Sequence, residues 1–287
     1  MKNYLYLYIV VIIAVMTGCV QKDDMKISSD QLTANESKSI WPKDGIYFME
    51  SYGYMAWYSD EEITIQLPFV EIHKSAPPMI NIEQIREVSL LGTNTWIECQ
   101  LKNLILGADR ENLTLYTIEV TIPQLDTGIY GFSEISFLRN NSEERYDIGT
   151  WNLDIIERSY KDIEIGRTTF IASEFNQYST EIKNISNKSI EIDGLYYDLG
   201  MLPVNNTMLF GNDFNMSELF NDETIKSKET RGIRWIFSTE EKSSYNFITL
   251  KPILLFRSDD VNYRICLNAA FIVPVLNEES ILQLIVP

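Results

Sequence analysis

The sequence of 287 residues contains a single histidine, His73, and only three cysteines. A histidine-rich zinc site therefore cannot be built, and any Ser-His-Asp or Cys-His catalytic site would have to use His73. Because His73 ends an apolar run and precedes Lys74, it is interpreted as a strand-end residue. The glycine-rich phosphate loops, the nucleophile-elbow motif and the zinc-protease motif do not occur. The sequence thus predicts no catalytic residue, no cofactor and no metal, and it favours a protein that is not an enzyme.

Basic residues are also scarce, with 24 lysines and arginines against 41 aspartates and glutamates, for a net charge of −17. A surface this acidic repels phosphate backbones, so nucleic acid is excluded as a partner. The acidic pairs fall between apolar runs, which indicates solvated turns. Asn212-Asp213-Phe214-Asn215 comes nearest to a calcium loop, but it lacks the rest of the EF-hand pattern.

Long hydrophobic runs are confined to the start of the chain. Residues 5–16 are apolar apart from tyrosine rings and follow Lys2, which fits a signal-peptide core and falls short of the ~20 residues that span a bilayer. The stretch Val15-Met16-Thr17-Gly18-Cys19 resembles the lipobox of bacterial lipoproteins. This resemblance implies a signal peptide over residues 1–18 and lipid on Cys19. We expect the chain to be extracytoplasmic, anchored to the cell membrane or outer membrane; the alternative is an uncleaved membrane anchor.

The residues after Cys19 are polar, and we expect a lipidated flexible tether over residues 19–44. Within it, Gln21-Lys22-Asp23-Asp24 resembles the acidic surface-export signal of some Bacteroidetes lipoproteins. A simple charged tether is the preferred interpretation, because tethers are routinely charged.

From Gly45 onward the composition and the pattern favour β-strands. Ile63, Ile65, Leu67 and Phe69 alternate with more polar residues, and similar alternation recurs over 116–122 and 261–271. Aromatic and β-branched residues are abundant throughout, as is typical of pleated, half-buried strands. The sequence predicts an all-β fold made of two antiparallel β-sandwich domains.

One local motif indicates the kind of sandwich. Asp126-Thr127-Gly128-Ile129-Tyr130-Gly131-Phe132 resembles the tyrosine corner of immunoglobulin-like domains, D-x-G-x-Y-x-C, with Phe132 in place of the cysteine. The resemblance implies structural roles for Asp126, Gly128 and Tyr130, with the tyrosine hydroxyl bonded to backbone a few residues upstream. It also implies that the first domain closes near Glu157. We therefore predict immunoglobulin-like domains over residues 45–157 and 158–287. Cys99 shares a face with Ile97 and Leu101 and is interpreted as a buried small hydrophobe, whereas Cys266 shares a face with Arg264 and Asn268. The two cysteines fall in different predicted domains, so no disulfide is expected.

Five tryptophans are candidates for a platform that stacks on sugar rings: Trp41, Trp57, Trp96, Trp151 and Trp235. Trp57 stands in the run Tyr52–Tyr58, which places aromatic rings on both faces of one strand, and a core or domain-interface position is preferred for it. The leading functional hypothesis is a non-enzymatic envelope lipoprotein that binds a protein or glycan partner or acts as a spacer. The alternatives are an envelope polysaccharide hydrolase that uses a carboxylate pair, and an accessory solute-binding or regulatory lipoprotein. Two close carboxylates in a deep pocket would favour the hydrolase, and an exposed aromatic patch the binding module.

Overall fold

A computed structural model of the protein describes residues 42–74, 80, 82–168, 171–172, 177–199, 206–220, 222–237, 247–272, 281 and 285. In the described part of the first region, which ends at Ile156, there are eight strands and one 3-10 turn, Ile82–Gln84. The strands are β1 (Gly45–Phe48), β2 (Ser51–Tyr58), β3 (Ile63–Ile72), β4 (Ile85–Gly92), β5 (Thr95–Asp109), β6 (Leu113–Ile122), β7 (Gly128–Arg139) and β8 (Ser142–Ile156).

The core of the first region follows from the alternating pattern of its strands. Ile63, Ile65, Leu67 and Phe69 of β3 are each 1% exposed, and they belong to one cluster with the inward residues of β6, β7 and β8. Because successive side chains of a strand point to opposite faces, period-2 spacing places all four in one core. The strand predicted here from alternation is confirmed.

These eight strands are consecutive neighbours in one eleven-stranded sheet, in the order β1-β3-β6-β5-β4-β7-β8-β2. The long β5 pairs with β4 over its first residues and with β6 over its later ones, so it passes from one layer to the other. If β1, β3, β4, β5, β6, β7 and β8 are lettered A to G, the layers read A-B-E-D and C-F-G. This is the strand order of an immunoglobulin-like sandwich.

The second region contains twelve strands within its described residues. They are β9 (Ile163–Thr168), β10 (Ile171–Ala172), β11 (Gln177–Asn184), β12 (Ile190–Tyr196), β13 (Asn206–Gly211), β14 (Leu219–Phe220), β15 (Thr224–Ile225), β16 (Thr230–Phe237), β17 (Phe247–Lys251), β18 (Ile253–Ser258), β19 (Val261–Cys266) and β20 (Ala270–Ile272).

The strand order of the first region recurs in the second. One sheet has the order β14-β13-β16-β11-β9 and another β15-β12-β18-β19. Lettering β9, β11, β12, β13, β16, β18 and β19 as A to G again gives A-B-E-D opposite C-F-G. The predicted all-β fold with two antiparallel, immunoglobulin-like sandwiches is therefore confirmed.

Strands β17, β20 and β10 of the second region lie outside the second sandwich and extend the sheet of the first, with β10 paired to β20. Only Pro252 separates β17 from β18, so β17 is the beginning of strand F drawn out beyond its own sandwich. It pairs in parallel with β2, from Phe247 opposite Ser51 to Lys251 opposite Met55, and β20 pairs with β17. The division at residue 157 into separately folding units stays a prediction, and hydrogen-bonded strands cross it.

Strand β2 is buried on both faces because a core lies on each side. Tyr54, Ala56 and Tyr58 belong to the hydrophobic core of the second region, whereas Met55 belongs to that of the first, with Trp57 packed against it. This arrangement explains the aromatic residues on both faces and confirms the domain-interface interpretation of this strand. A third, smaller cluster joins Ile281 and Ile285 to Val70, Ile72 and other residues of the first region. Within the described ranges, no helix has the length and apolarity to cross a membrane.

Candidate functional site

Cys19, the predicted lipidation site, and Trp41 lie outside the residues that the structure describes. His73 directly follows β3, and its Nε2 lies 2.9 Å from Thr114 Oγ1. Thr114 Oγ1 in turn donates to Asp109 Oδ1 at 2.7 Å. These contacts tie the only histidine to the end of the neighbouring strand pair, and the strand-end interpretation is confirmed.

The residues of the predicted tyrosine corner meet between β6 and β7. The Tyr130 hydroxyl donates to the Asp126 carbonyl oxygen at 3.0 Å, and the Tyr130 ring is half-buried. Gly128 has a φ of 152°, a conformation that residues with a Cβ rarely adopt. Phe132, in the position of the missing cysteine, stacks on Trp151 with ring centroids 6.0 Å apart.

Cys99 and Cys266 are both free thiols, as expected. Burial raises the pKa of each thiol to about 12, so both are poor nucleophiles at neutral pH. Cys266 is buried, whereas Cys99 is only partly so, which corrects the expectation of full burial for Cys99.

The tryptophans divide into three environments. Trp151 and Trp235 are at most 1% exposed and belong to the two main cores. Trp57 is half-buried beneath Lys251, whose Nζ lies 3.2 Å from the ring centroid. Trp96 is 64% exposed on β5. The tryptophans of the described ranges therefore do not assemble a shared platform.

An open cleft of about 530 Å³ lies where the two sandwiches meet. The first sandwich contributes the beginning of β7, directly after the tyrosine corner, and the end of β8. The second contributes Tyr196 at the end of β12 and Arg264 on β19. The lining residues are Thr127, Gly128, Ile129, Asp154, Ile155, Ile156, Glu157, Tyr196 and Arg264. Junctions between domains are preferred places for ligand sites, and this volume is within the usual range.

A network of polar side chains fixes the floor of the cleft. The Asp154 side chain is 5% exposed, and its Oδ2 accepts from the Tyr54 hydroxyl at 2.8 Å and from Arg264 Nη2 at 3.2 Å. Burial and the adjacent Asp154 carboxylate raise the pKa of Tyr54, so its hydroxyl remains a donor. Since a buried carboxylate needs such partners, Asp154 serves to hold Arg264 in place across the junction.

The wall of the cleft exposes apolar surface beside these charges. Ile129 is 57% and Tyr196 37% exposed, and the Arg264 guanidinium lies 5.7 Å from the Tyr196 ring. Tyr196 also contacts the Tyr54 ring at 81°, with centroids 6.0 Å apart, so its orientation is supported from below. The cleft can thus receive a ligand with one apolar face and several hydrogen-bonding groups.

A second charged group lies buried at the same junction. Lys251 Nζ is 3.8 Å from Glu61 Oε2, and the lysine side chain is 10% exposed. Burial lowers the pKa of Lys251 to about 8. Arg158 lies 3.7 Å from the Tyr58 ring centroid, and the Tyr58 hydroxyl accepts from the Cys266 backbone N–H. These contacts join Tyr58 and Glu61 of the first region to Cys266 and Lys251 of the second, and they join Arg158 to Tyr58.

No group of three or more histidine, cysteine, aspartate or glutamate residues suited to a metal ion occurs in the part of the chain that the structure describes. The segment considered for calcium forms a local turn. There, Asp213 Oδ2 accepts from the Ser217 hydroxyl and Asp213 Oδ1 from the Ser217 backbone N–H, at 2.6 and 3.1 Å. These hydrogen bonds lower the pKa of Asp213.

Sequence reasoning did not identify Ile129, Asp154, Tyr196 and Arg264 as a site. They come from four strands, and their proximity depends on how two domains pack, which leaves no local pattern. The one available signal was Ile129, an apolar residue in the corner motif between two residues whose structural roles had been predicted.

No protein-family profile matches the chain, and no curated protein sequence matches it. Among solved structures, a protein of unknown function from Porphyromonas gingivalis W83 is similar at 9% identity and a TM-score of 0.23, over 78% of this chain and 98% of that one. The teleost fish polymeric immunoglobulin receptor ectodomain is similar at 7% identity and a TM-score of 0.21, over 78% of this chain and 97% of that one. The fold follows from the strand order of the sheets.

Proposed function

We propose that this protein is a cell-envelope lipoprotein, anchored through lipid on Cys19, that acts as a non-enzymatic binding module. The observation that carries the binding role is the cleft between the sandwiches, where Ile129 and Tyr196 expose apolar surface beside a fixed arginine. Cleft residues supplied by two rigid β-sheets need little ordering when a ligand binds, which favours affinity.

The arrangement of carboxylates argues against the hydrolase alternative. Asp154 and Glu157 both line the cleft, but Asp154 is buried and accepts hydrogen bonds from Tyr54 and Arg264. A glycosidase needs one carboxyl to donate a proton and a second to act on the sugar or on water. Because the Asp154 side chain is only 5% exposed and its Oδ2 is already bonded to Tyr54 and Arg264, Glu157 is the one carboxylate of the lining residues that is open to a ligand.

The membrane anchor is tested by Cys19→Ala. A diacylated cysteine supplies the two chains that stable anchoring requires, so the variant should lose lipid labelling and leave the detergent phase in phase-partition experiments. Retention of residues 1–18 on a variant that still partitions with membranes would instead support the uncleaved anchor.

The binding role is tested by capture of partners from the native envelope with the full-length, detergent-solubilised protein. Ile129→Asp places a charge on the exposed apolar wall without disturbing a core, and it should abolish the capture that the unaltered protein shows. Trp96→Ala is the matched control, because Trp96 is exposed but does not line the cleft. Equal capture by the unaltered protein and Ile129→Asp would remove the cleft from the proposal.

A further inference from the structure

We infer that the ligand of the cleft is an uncharged saccharide, with a sugar ring against Tyr196 and its hydroxyls on Arg264 and Glu157. This inference rests on the proposed binding function and specifies the chemistry of the same site.

The hydrogen-bonding groups of the cleft match sugar hydroxyls. Arginine carries five N–H donors, and within the described ranges only Nη2 of Arg264 has a protein acceptor, Asp154. The Arg264 side chain is 48% exposed, so the remaining donors are accessible from the cleft. Glu157 is exposed, lines the same cleft and has no hydrogen-bond donor among the described residues. A sugar hydroxyl both donates and accepts, so it can pair with either side chain.

The apolar groups of the cleft match the apolar face of a sugar ring. A pyranose ring has a face of C–H groups, and such a face packs against an aromatic ring. Tyr196 is exposed, and its ring is held by the edge contact with Tyr54, so the ring is oriented before a ligand arrives. Ile129 extends the apolar wall beside it.

The charges of the cleft select against an acidic ligand. Asp154 and Glu157 outnumber Arg264 among the lining residues, and the chain as a whole carries a charge of −17. Because Asp154 already neutralises Arg264, an anion would gain little there and would be repelled by the surrounding field.

Native affinity electrophoresis of the full-length protein in detergent tests the inference. The gels contain soluble neutral polysaccharides (glucans, mannans, galactans and xylans), and matched gels contain the acidic polymers pectate and alginate. We expect retardation by at least one neutral polymer. Retardation by none of them, or only by the acidic polymers, would overturn the inference.

Variants connect retardation with the cleft. Tyr196→Ala should weaken binding at least tenfold, Tyr196→Phe should preserve it, and Ile129→Asp should weaken it without touching the interdomain network. Trp96→Ala should bind as the unaltered protein does; if Trp96→Ala abolishes retardation while Tyr196→Ala does not, the saccharide site lies elsewhere. Envelope capture that depends on Ile129 without any retardation by sugars would leave the proposed function standing and eliminate the saccharide.

Discussion

At the scale of single residues, the tyrosine corner links the sequence motif most directly to an atomic contact. The Tyr130 hydroxyl bonds to the Asp126 carbonyl, and the same turn presents Ile129 to the cleft. A motif that was identified for its structural role therefore also shapes the candidate site. Gly128 contributes because its φ of 152° gives the start of β7 a backbone conformation that residues with a Cβ rarely adopt.

Tyr130→Phe removes the hydrogen bond and keeps the ring. Because Asp126 is exposed and water can replace the lost donor, we expect the free energy of unfolding to fall by about 0.5–1.5 kcal/mol. Urea denaturation followed by tryptophan fluorescence measures the change. Tyr263→Phe is the control, since within the described residues the Tyr263 hydroxyl has no hydrogen-bond partner while its ring packs on Phe256. An equal effect of the two substitutions would show that the corner bond does not stabilise the domain.

Gly53 tests a different residue-scale requirement, the close approach of an indole to the backbone of β2. A Cβ at this position would lie 2.0 Å from Trp151 Cε3, which is buried and cannot move aside freely. We expect Gly53→Ala to destabilise the protein by about 1–3 kcal/mol through overpacking. A melting temperature equal to that of the unaltered protein would show that Trp151 can repack.

At the scale of elements, β17 is notable because it ends in a buried lysine, Lys251, whose Nζ lies over the Trp57 ring and near Glu61 of the first region. The folded protein lowers the pKa of Lys251 to about 8, below the value of about 10.4 in an unfolded chain. The unfolded state therefore binds the proton more tightly at every pH between these values. Stability attributable to this group must rise as the pH increases through that range.

Lys251→Met removes the titrating group and retains an apolar side chain. Between pH 7 and pH 9, we expect the unaltered protein to gain about 1 kcal/mol of stability relative to the variant. Comparing the two proteins cancels the titration of other groups, such as Cys99 and Tyr58, whose raised pKa values act in the opposite direction. Lys183→Met, at an exposed lysine paired with Glu164, should show no such trend. If the difference in stability between the unaltered protein and Lys251→Met does not change with pH, the lysine is not buried in its charged form.

The elements also show how far the sequence allowed prediction. Alternation located the strands around Ile65 and Ile118, because one-sided burial leaves a period of two. The corner motif predicted the immunoglobulin-like type of the first sandwich. The repeat of strand order in the second region has no counterpart in residue identity, since many different apolar residues satisfy the same inward positions. The pairing of β17 with β2 could not be predicted, because nothing local to Phe247–Lys251 specifies a distant parallel partner.

At the scale of the whole molecule, the shared sheet means that the two sandwiches are not independent domains joined by a flexible linker. β2 contributes Tyr54, Ala56 and Tyr58 to the second core, while β17 is hydrogen-bonded to the first sandwich. A change in the mutual orientation of the sandwiches would have to break these contacts. The same contacts hold together the two sides of the cleft, whose lining residues come from both sandwiches.

This architecture predicts the behaviour of a fragment comprising residues 158–287. It retains the sheets β14-β13-β16-β11-β9 and β15-β12-β18-β19, so it should keep the circular-dichroism signal of β structure. It lacks the three β2 side chains that cover its core, so it should unfold at a lower urea concentration than the same region in the full-length protein. A fragment with no folded structure would refute the division at residue 157, and one as stable as the intact chain would refute the importance of β2.

The position of β17 has a consequence for the life of the nascent chain. On its side away from β8, β2 would otherwise present a free row of backbone N–H and C=O groups, the kind of exposed edge that recruits strands from other molecules and leads to aggregation. β17 occupies that row, but it is synthesised long after the first sandwich is complete. A nascent chain that has not yet reached Lys251 therefore carries an unpaired β2 edge that can pair with strands of other molecules. The second region later covers this edge with β17.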